Sequence, residues 1–230
     1  MKGVCYLSSV PMRSEPSDRA EMVNQIIYGE TFDILLQEEK WSKIKLHHDN
    51  YEGWIDNKQW TIHTAKKQSI KNVRFISSIF YKKDKLFFPA GSIIDFIETT
   101  NNNTILHTAK LFLNTPYLWG GRTFMGIDCS GFTQIVFRIH HIFLLRDAYQ
   151  QATQGKKIAF EDIASNDLIF FQNKDGKIIH VGIAMKEKKS LKIIHAAGKV
   201  RIDLLDEKGI YNEEMQTYSH QLHSIKRVIK

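Results

Sequence analysis

The chain has 230 residues, of which 43% are hydrophobic and 25% charged, with 32 lysines and arginines against 25 aspartates and glutamates and a net charge of +7. This is ordinary globular composition, long enough for one large domain or two modest ones. Two cysteines, Cys5 and Cys129, make no disulfide framework, and no apolar run reaches the length of a membrane span. The pI near 9.2 suits a nucleic acid, an anionic membrane or an anionic substrate. The lysines are scattered, however, without a long like-charge run, so a solvated surface is expected and no nucleic-acid partner. Residues Met1–Val10 lack a signal-peptide apolar region. The expected location is the cytoplasm, or outside the cell if a leader has been removed.

From the N-terminus to about residue 60 the chain reads as short strands split by turns. Thr31–Leu36 is strand-like, and Trp41–Leu46 and Tyr51–Ile55 alternate apolar and polar residues, which predicts a small β-barrel with Trp41 and Trp54 in its core or rim. Residues 61–103 read as strands at Val73–Ile76 and Lys85–Ile94 around a turn, either a reduced second barrel or an elaborated linker. Asn103 or Thr104 is placed to cap a helix whose apolar face is Ile105, Ala109, Phe112 and Leu113. After Cys129, the residues Phe132, Ile135, Val136, Ile139 and Phe143 recur at helical spacing. Asp147–Gln154 suggests another short helix, stopped by Gly155. Strands are expected at 167–172, 179–185, 191–197 and 223–229. Helices first and an antiparallel sheet afterwards predict an α+β domain over 104–230.

The chemistry concentrates around Cys129. It follows the glycine-rich stretch Pro116-Tyr117-Leu118-Trp119-Gly120-Gly121 and opens a helix, where the macrodipole and unpaired N–H groups favour thiolate over thiol. A cysteine nucleophile needs a base and a group to orient that base. His180 begins one expected strand and His195 ends the next, so adjacent antiparallel strands would set His180 beside Cys129 with His195 on the far nitrogen of its ring. Asp128 stands at the N-cap position of the Cys129 helix. His47-His48-Asp49 and His140-His141 resemble metal ligands only superficially, because neighbours in sequence diverge on a helix and alternate on a strand. No zinc-type spacing is present, and neither a metal nor a cofactor is expected.

Two resemblances sharpen this reading. Pro11–Ser17, Gly29-Glu30, Trp41–Ile44 and Tyr51–Ile55, in that order, resemble a bacterial SH3-like (SH3b) domain, here residues 1–60. Such domains usually accompany cell-wall enzymes. Asp128-Cys129-Ser130-Gly131, followed about fifty residues on by His180-Val181-Gly182 and then by Ile194-His195-Ala196, resembles the NlpC-type papain-like cell-wall cysteine peptidases. The fold implied is a papain-like NlpC-type catalytic domain preceded by a small SH3-like β-barrel. The roles implied are Cys129 as nucleophile, His180 as general base and His195 as orienting residue.

Arg146-Asp147-Ala148-Tyr149-Gln150-Gln151 resembles the corresponding segment of γ-D-glutamyl-diamino acid endopeptidases of dipeptidyl-peptidase VI type. That likeness implies hydrolysis of L-Ala-γ-D-Glu-diamino acid peptides with a free N-terminal alanine. Asp147 would bind the ammonium, Trp119, Asp128 and Ser130 would line the cleft, and Glu21 and Tyr51 of the SH3-like domain would close its amine end. Ala148 stands where that family often has serine, which removes one hydroxyl. Three rivals share much of this pattern. They are a secreted hydrolase of intact peptidoglycan, an inert wall-peptide binding protein, and acyl transfer to an amine instead of water.

Overall fold

In the computed structural model, residues 1–64, 77–81, 84–94, 103–188 and 190–229 are described. The chain divides into two compact units, Met1–Asn102 with Leu118–Gly126, and Asn103–Tyr117 with Ile127–Lys230. Among the described residues no helix is long and apolar enough to cross a membrane.

The first unit is built on a seven-stranded antiparallel sheet of β1 (Lys2–Val4), β2 (Ser9–Arg13), β3 (Met22–Ile27), β4 (Thr31–Gln37), β5 (Trp41–Leu46), β6 (Glu52–Asp56) and β7 (Thr61–Ile62), in the order β3-β2-β6-β5-β4-β1-β7. Period-two alternation turns Val10, Met12, Ile26, Phe32, Ile44, Leu46 and Ile55 into one buried cluster that also holds Cys5. Gly53 is required by close packing: a Cβ there would come within 2.7 Å of Met12 Sδ. A separate hairpin joins β8 (Ser77–Tyr81) to β9 (Asp84–Phe88). The expected strand at Val73–Ile76 lies outside the described residues. The segment Leu118–Gly126 also belongs to this unit; it carries β10 (Arg122–Thr123) and runs into β11 (Gly126–Ile127).

The second unit begins at α1 (Ile105–Lys110), capped by Thr104 Oγ1, which accepts from the His107 N–H at 3.2 Å. Its apolar face buries Ile105, Ala109 and Phe112, while Leu113 stays partly exposed. Then come α2 (Cys129–Ile139), α3 (Ala148–Gln151) and the strands β12 (Lys156–Lys157), β13 (Leu168–Gln172), β14 (Ile178–Lys186), β15 (Leu191–Ala197), β16 (Lys199–Asp206), β17 (Gly209–Asn212) and β18 (Thr217–Arg227). The sheet order is β12-β18-β13-β14-β15-β16-β17, and β17 also pairs with β18, so the sheet closes on itself around Ile169, Phe171, Ala184, Ile193, Leu205, Ile210 and Ile225. Every residue of α2 is buried, and it packs against β14 and β15. Phe143, expected on that helix, lies beyond its end and is partly exposed. Strands β16 and β17 were not expected from the sequence. They follow from Gly198, whose φ of +70° is one that L side chains rarely adopt, turning the chain directly from β15 into β16.

Candidate active site

Cys129 is the first residue of α2, and the residue before it anchors the helix. Asp128 Oδ1 accepts from the Gly131 N–H at 2.6 Å, satisfying one of the unpaired donors of the first turn. The same carboxylate takes two hydrogen bonds from buried Arg146, at 3.1 Å to Oδ1 and 2.5 Å to Oδ2. Arg146 also donates to Ser130 Oγ at 2.9 Å. Such forked pairing fixes orientation as well as charge. Gln151 completes the brace. It is fully buried, its Nε2 donates to Ser130 O at 3.0 Å, and its Oε1 accepts from Thr133 Oγ1 at 2.7 Å. The start of the cysteine helix is thus fixed by three side chains, Asp128, Arg146 and Gln151.

The thiol at this helix start is not acidified at rest. Burial pushes Cys129 up to about 12, and the Asp128 charge adds to that; backbone hydrogen bonds from Val181 and Ser130, and the Arg146 charge, pull the other way and lose. The thiolate preference expected from the helix dipole is therefore outweighed, because the site is dry and a carboxylate sits next door. The Tyr117 phenol is raised as well, first by burial and then by the charges of Cys129 and Asp128.

Strand register brings the two histidines together. Gly182 pairs with His195 across β14 and β15, and His180, two residues earlier, lies on the same face. A Cβ on Gly182 would stand 2.8 Å from His195 Cβ and 2.6 Å from Ile193 Cδ1, so only glycine leaves room for the rings to meet. His180 Nε2 lies 2.8 Å from His195 Nδ1. The chain of contacts then continues through residues that the sequence reading missed: His195 Nε2 is 2.8 Å from Asp203 Oδ2. Arg201 donates to both oxygens of Asp203, at 2.7 and 2.8 Å. The signal for them was present in Gly198, since a turn there sets Arg201 opposite His195 and leaves Asp203 on the same face. His220 of β18 stacks on His180 with ring centroids 4.2 Å apart.

Burial holds His180 well below its usual range, helped by the neighbouring His195 and His220. His195 is lowered by burial against the opposing pull of Asp203, and His220 falls to about 4 by burial. At rest the thiol and the imidazole are both neutral. His180 Nδ1 has no hydrogen bond among the described residues, and the Cys129 thiol is bonded to the backbone of Val181, the next residue along β14. This arrangement can take a proton from sulfur and hold it in a solvent-poor place.

The remaining expected residues fall into two groups. Asp128 and Ser130 are almost fully buried and engaged with Arg146. Asp147 opens α3, where its N–H donates to Gln150 Oε1 at 3.0 Å. In the first unit, Glu21 Oε1 accepts the Trp119 indole N–H at 2.5 Å, which brings two of the expected substrate residues together. Tyr51 packs against the barrel core. His48, from the superficial metal pattern, pairs with Asp49 at 3.0 Å and Glu30 at 3.5 Å. Among the described residues no group of His, Cys, Asp and Glu is arranged to hold a metal.

Residues 114–219 match the NlpC/P60 family and residues 12–59 match the bacterial dipeptidyl-peptidase Sh3 domain. The chain is 38% identical over 113 residues to the gamma-D-glutamyl-L-lysine dipeptidyl-peptidase of Bacillus subtilis, a stretch covering 48% of this chain and 38% of that protein. The corresponding Bacillus cereus protein is 33% identical over 51% of this chain and 36% of its own length. The matched stretch therefore spans little more than a third of these two relatives. A dipeptidyl-peptidase 6 of Lysinibacillus sphaericus is 23% identical over 94% of this chain and 97% of its own length. The fold is that of a crystallised NlpC/P60 family protein from Bacillus cereus, with a TM-score of 0.82, 18% identity and full coverage of both chains.

Proposed function

We propose, taking as premise that this chain carries an NlpC/P60 domain of the cysteine peptidase family together with a bacterial dipeptidyl-peptidase Sh3 domain, that it hydrolyses the γ-D-glutamyl–diamino acid bond of peptidoglycan-derived peptides bearing a free N-terminal L-alanine. The observation that carries this reading is the relay from Asp203 through His195 to His180, on the strand whose Val181 backbone meets the Cys129 thiol at the head of a braced helix. The activity for which the Bacillus relatives are named, that of a gamma-D-glutamyl-L-lysine dipeptidyl-peptidase, supports the substrate class. The exposed Glu21–Trp119 pair supplies a carboxylate and an aromatic face, which suit a small cation such as a peptide N-terminus. A requirement for that free amine would make the enzyme one of peptide recycling in the cytoplasm, since the amine is blocked in the intact wall.

The chemistry follows from the resting charges. His180 Nδ1 takes the thiol proton as Cys129 Sγ attacks the γ-carbonyl carbon, so thiolate forms only as it is used. Backbone N–H groups at the start of α2 receive the oxyanion. Collapse breaks the C–N bond while His180 returns its proton to the leaving amine, leaving a γ-glutamyl thioester. Water, deprotonated by His180, then attacks that thioester; the C–S bond breaks and sulfur recovers the proton.

Mass-spectrometric cleavage of L-Ala-γ-D-Glu-L-Lys and its meso-diaminopimelate counterpart, each beside an N-acetylated twin, tests the proposal with Cys129→Ala as control. Cleavage of the free-amine peptides alone, abolished in the variant, is expected. Equal cleavage of acetylated peptides would remove the amine requirement and move the enzyme to the intact wall, and no cleavage of any would overturn the peptidase assignment.

A further inference from the structure

We infer that Asp203, clamped by Arg201, is the positioning residue that sets the direction of every hydrogen bond in the histidine relay and thereby makes His180 a base toward Cys129. This deepens the peptidase reading above and rests on it. Arg201 gives two hydrogen bonds to the Asp203 carboxylate, and a guanidinium can only donate. Asp203 is therefore an ionised acceptor, held below the usual carboxylate range by its bonds to His195 and Arg201 against its partial burial. A carboxylate that only accepts requires the proton of His195 to sit on Nε2, 2.8 Å away. Neutral His195 is then bare at Nδ1, so it accepts from His180 Nε2 at 2.8 Å, and neutral His180 must be bare at Nδ1. One carboxylate thus fixes two tautomers and leaves a free lone pair at His180 Nδ1, which has no hydrogen-bond partner among the described residues.

Reversed, the relay would fail. A donor in place of Asp203 would put the His195 proton on Nδ1, drive the His180 proton from Nε2 to Nδ1, and present an N–H to the thiol. Arg201 has the second task of moderating the carboxylate: burial is the larger cause that lowers His195, and the Arg201 charge adds to it, which helps keep the relay neutral at rest. Among the described residues His220 of β18 also faces the relay, and the Cys129 thiol, bonded to the Val181 backbone, feels the charges of Asp128 and Arg146 and adjoins the Tyr117 phenol. Glu214 stands 3.6 Å from Arg201 on its exposed side.

The test measures iodoacetamide alkylation of Cys129 against pH, peptide by peptide, in the full chain carrying Asp203→Asn or Arg201→Met, beside kcat and KM for L-Ala-γ-D-Glu-L-Lys. Alkylation consumes thiolate, so it reports proton transfer to His180 without any substrate. In the wild type the rate is expected to level off below neutral pH, as His180 becomes neutral, and to stay level across neutrality. Asp203→Asn should slow alkylation at neutral pH and lower kcat by about 10²- to 10⁴-fold, the contribution of a positioned general base. Its rate should climb with pH without levelling, and KM should be unchanged. Arg201→Met should move the acid limb to higher pH, because the unmoderated carboxylate makes the histidines more basic. An alkylation profile of wild-type shape in folded Asp203→Asn would overturn the inference. If that variant does not fold, an unmoved acid limb in Arg201→Met overturns it instead. A wild type that alkylates as expected but leaves the peptide uncut would sink the substrate assignment and leave the relay standing.

Discussion

The two cysteines stand in different units and share almost every local property. Both are free and buried, and burial pushes both thiols up to about 12. Each also has a buried arginine–carboxylate pair for company. Beside Cys129 it is Arg146 with Asp128; near Cys5 it is Arg122, whose Nη2 lies 3.0 Å from Glu30 Oε1, and the Cys5 N–H donates to Glu30 O at 2.9 Å. What differs is what the sulfur meets. Cys5 donates to the Leu7 carbonyl at 3.2 Å, an acceptor that cannot carry a proton away. Cys129 meets the strand that carries His180, behind which His195 and Asp203 are lined up. A nucleophilic cysteine is made here by where its proton can go, and neither burial nor a neighbouring carboxylate distinguishes it from an inert one.

The largest effect should come from deleting the two sulfurs in turn. Cys129→Ala is expected to remove roughly 10⁵-fold or more of kcat, and Cys5→Ala to leave kcat and KM as they are, measured on the same peptide. Next, Glu30→Gln removes the carboxylate bonded to buried Arg122 and leaves Asp49 as its neighbouring counter-charge; this should destabilise the barrel unit by about 3 kcal/mol, read from denaturant unfolding. Raising pH by one or two units should not rescue this variant, since the arginine stays charged. The pH dependence of activity separates the cysteines again. His180 must be neutral to act, and its folded pKa lies well below 6.5, so kcat/KM should fall only as pH drops through values below that and stay level across neutrality. Smallest, Cys5→Ala should cost about 1 kcal/mol of stability through the space left among Val10, Ile26 and Phe32, a shift of a few degrees in Tm.

Much of this was legible in the residues. The alternation in β5 and β6 predicted the barrel, Thr104 predicted the start of α1, and the spacing after Cys129 predicted α2. The pairing of His180 with His195 followed from placing them near facing strand ends. Asp203 was not legible in the same way, because a short strand with the pattern Lys199-Val200-Arg201-Ile202-Asp203 reads as a solvated edge unless the turn at Gly198 is recognised. The role of Asp128 was open between cap and cleft residue; its partner, Arg146, is brought in by a chain reversal that no local pattern marks. The sign of the Cys129 shift was misjudged, because a helix start is visible in sequence whereas the depth at which it is buried is not. Nor does sequence order suggest that Leu118–Gly126 leaves its neighbours to join the first unit, where a buried ion pair between Arg122 and Glu30 holds it.

The most direct test of the central claim compares the alkylation rates of Cys5 and Cys129 in the native wild type and in His180→Ala, each cysteine followed on its own peptide. The account predicts fast labelling of Cys129 and almost none of Cys5 in the wild type, with Cys129 slowed by about 10²-fold or more when the imidazole is removed. If Cys129 labels as fast in His180→Ala as in the wild type, its reactivity comes from access and not from the relay, and the account is contradicted.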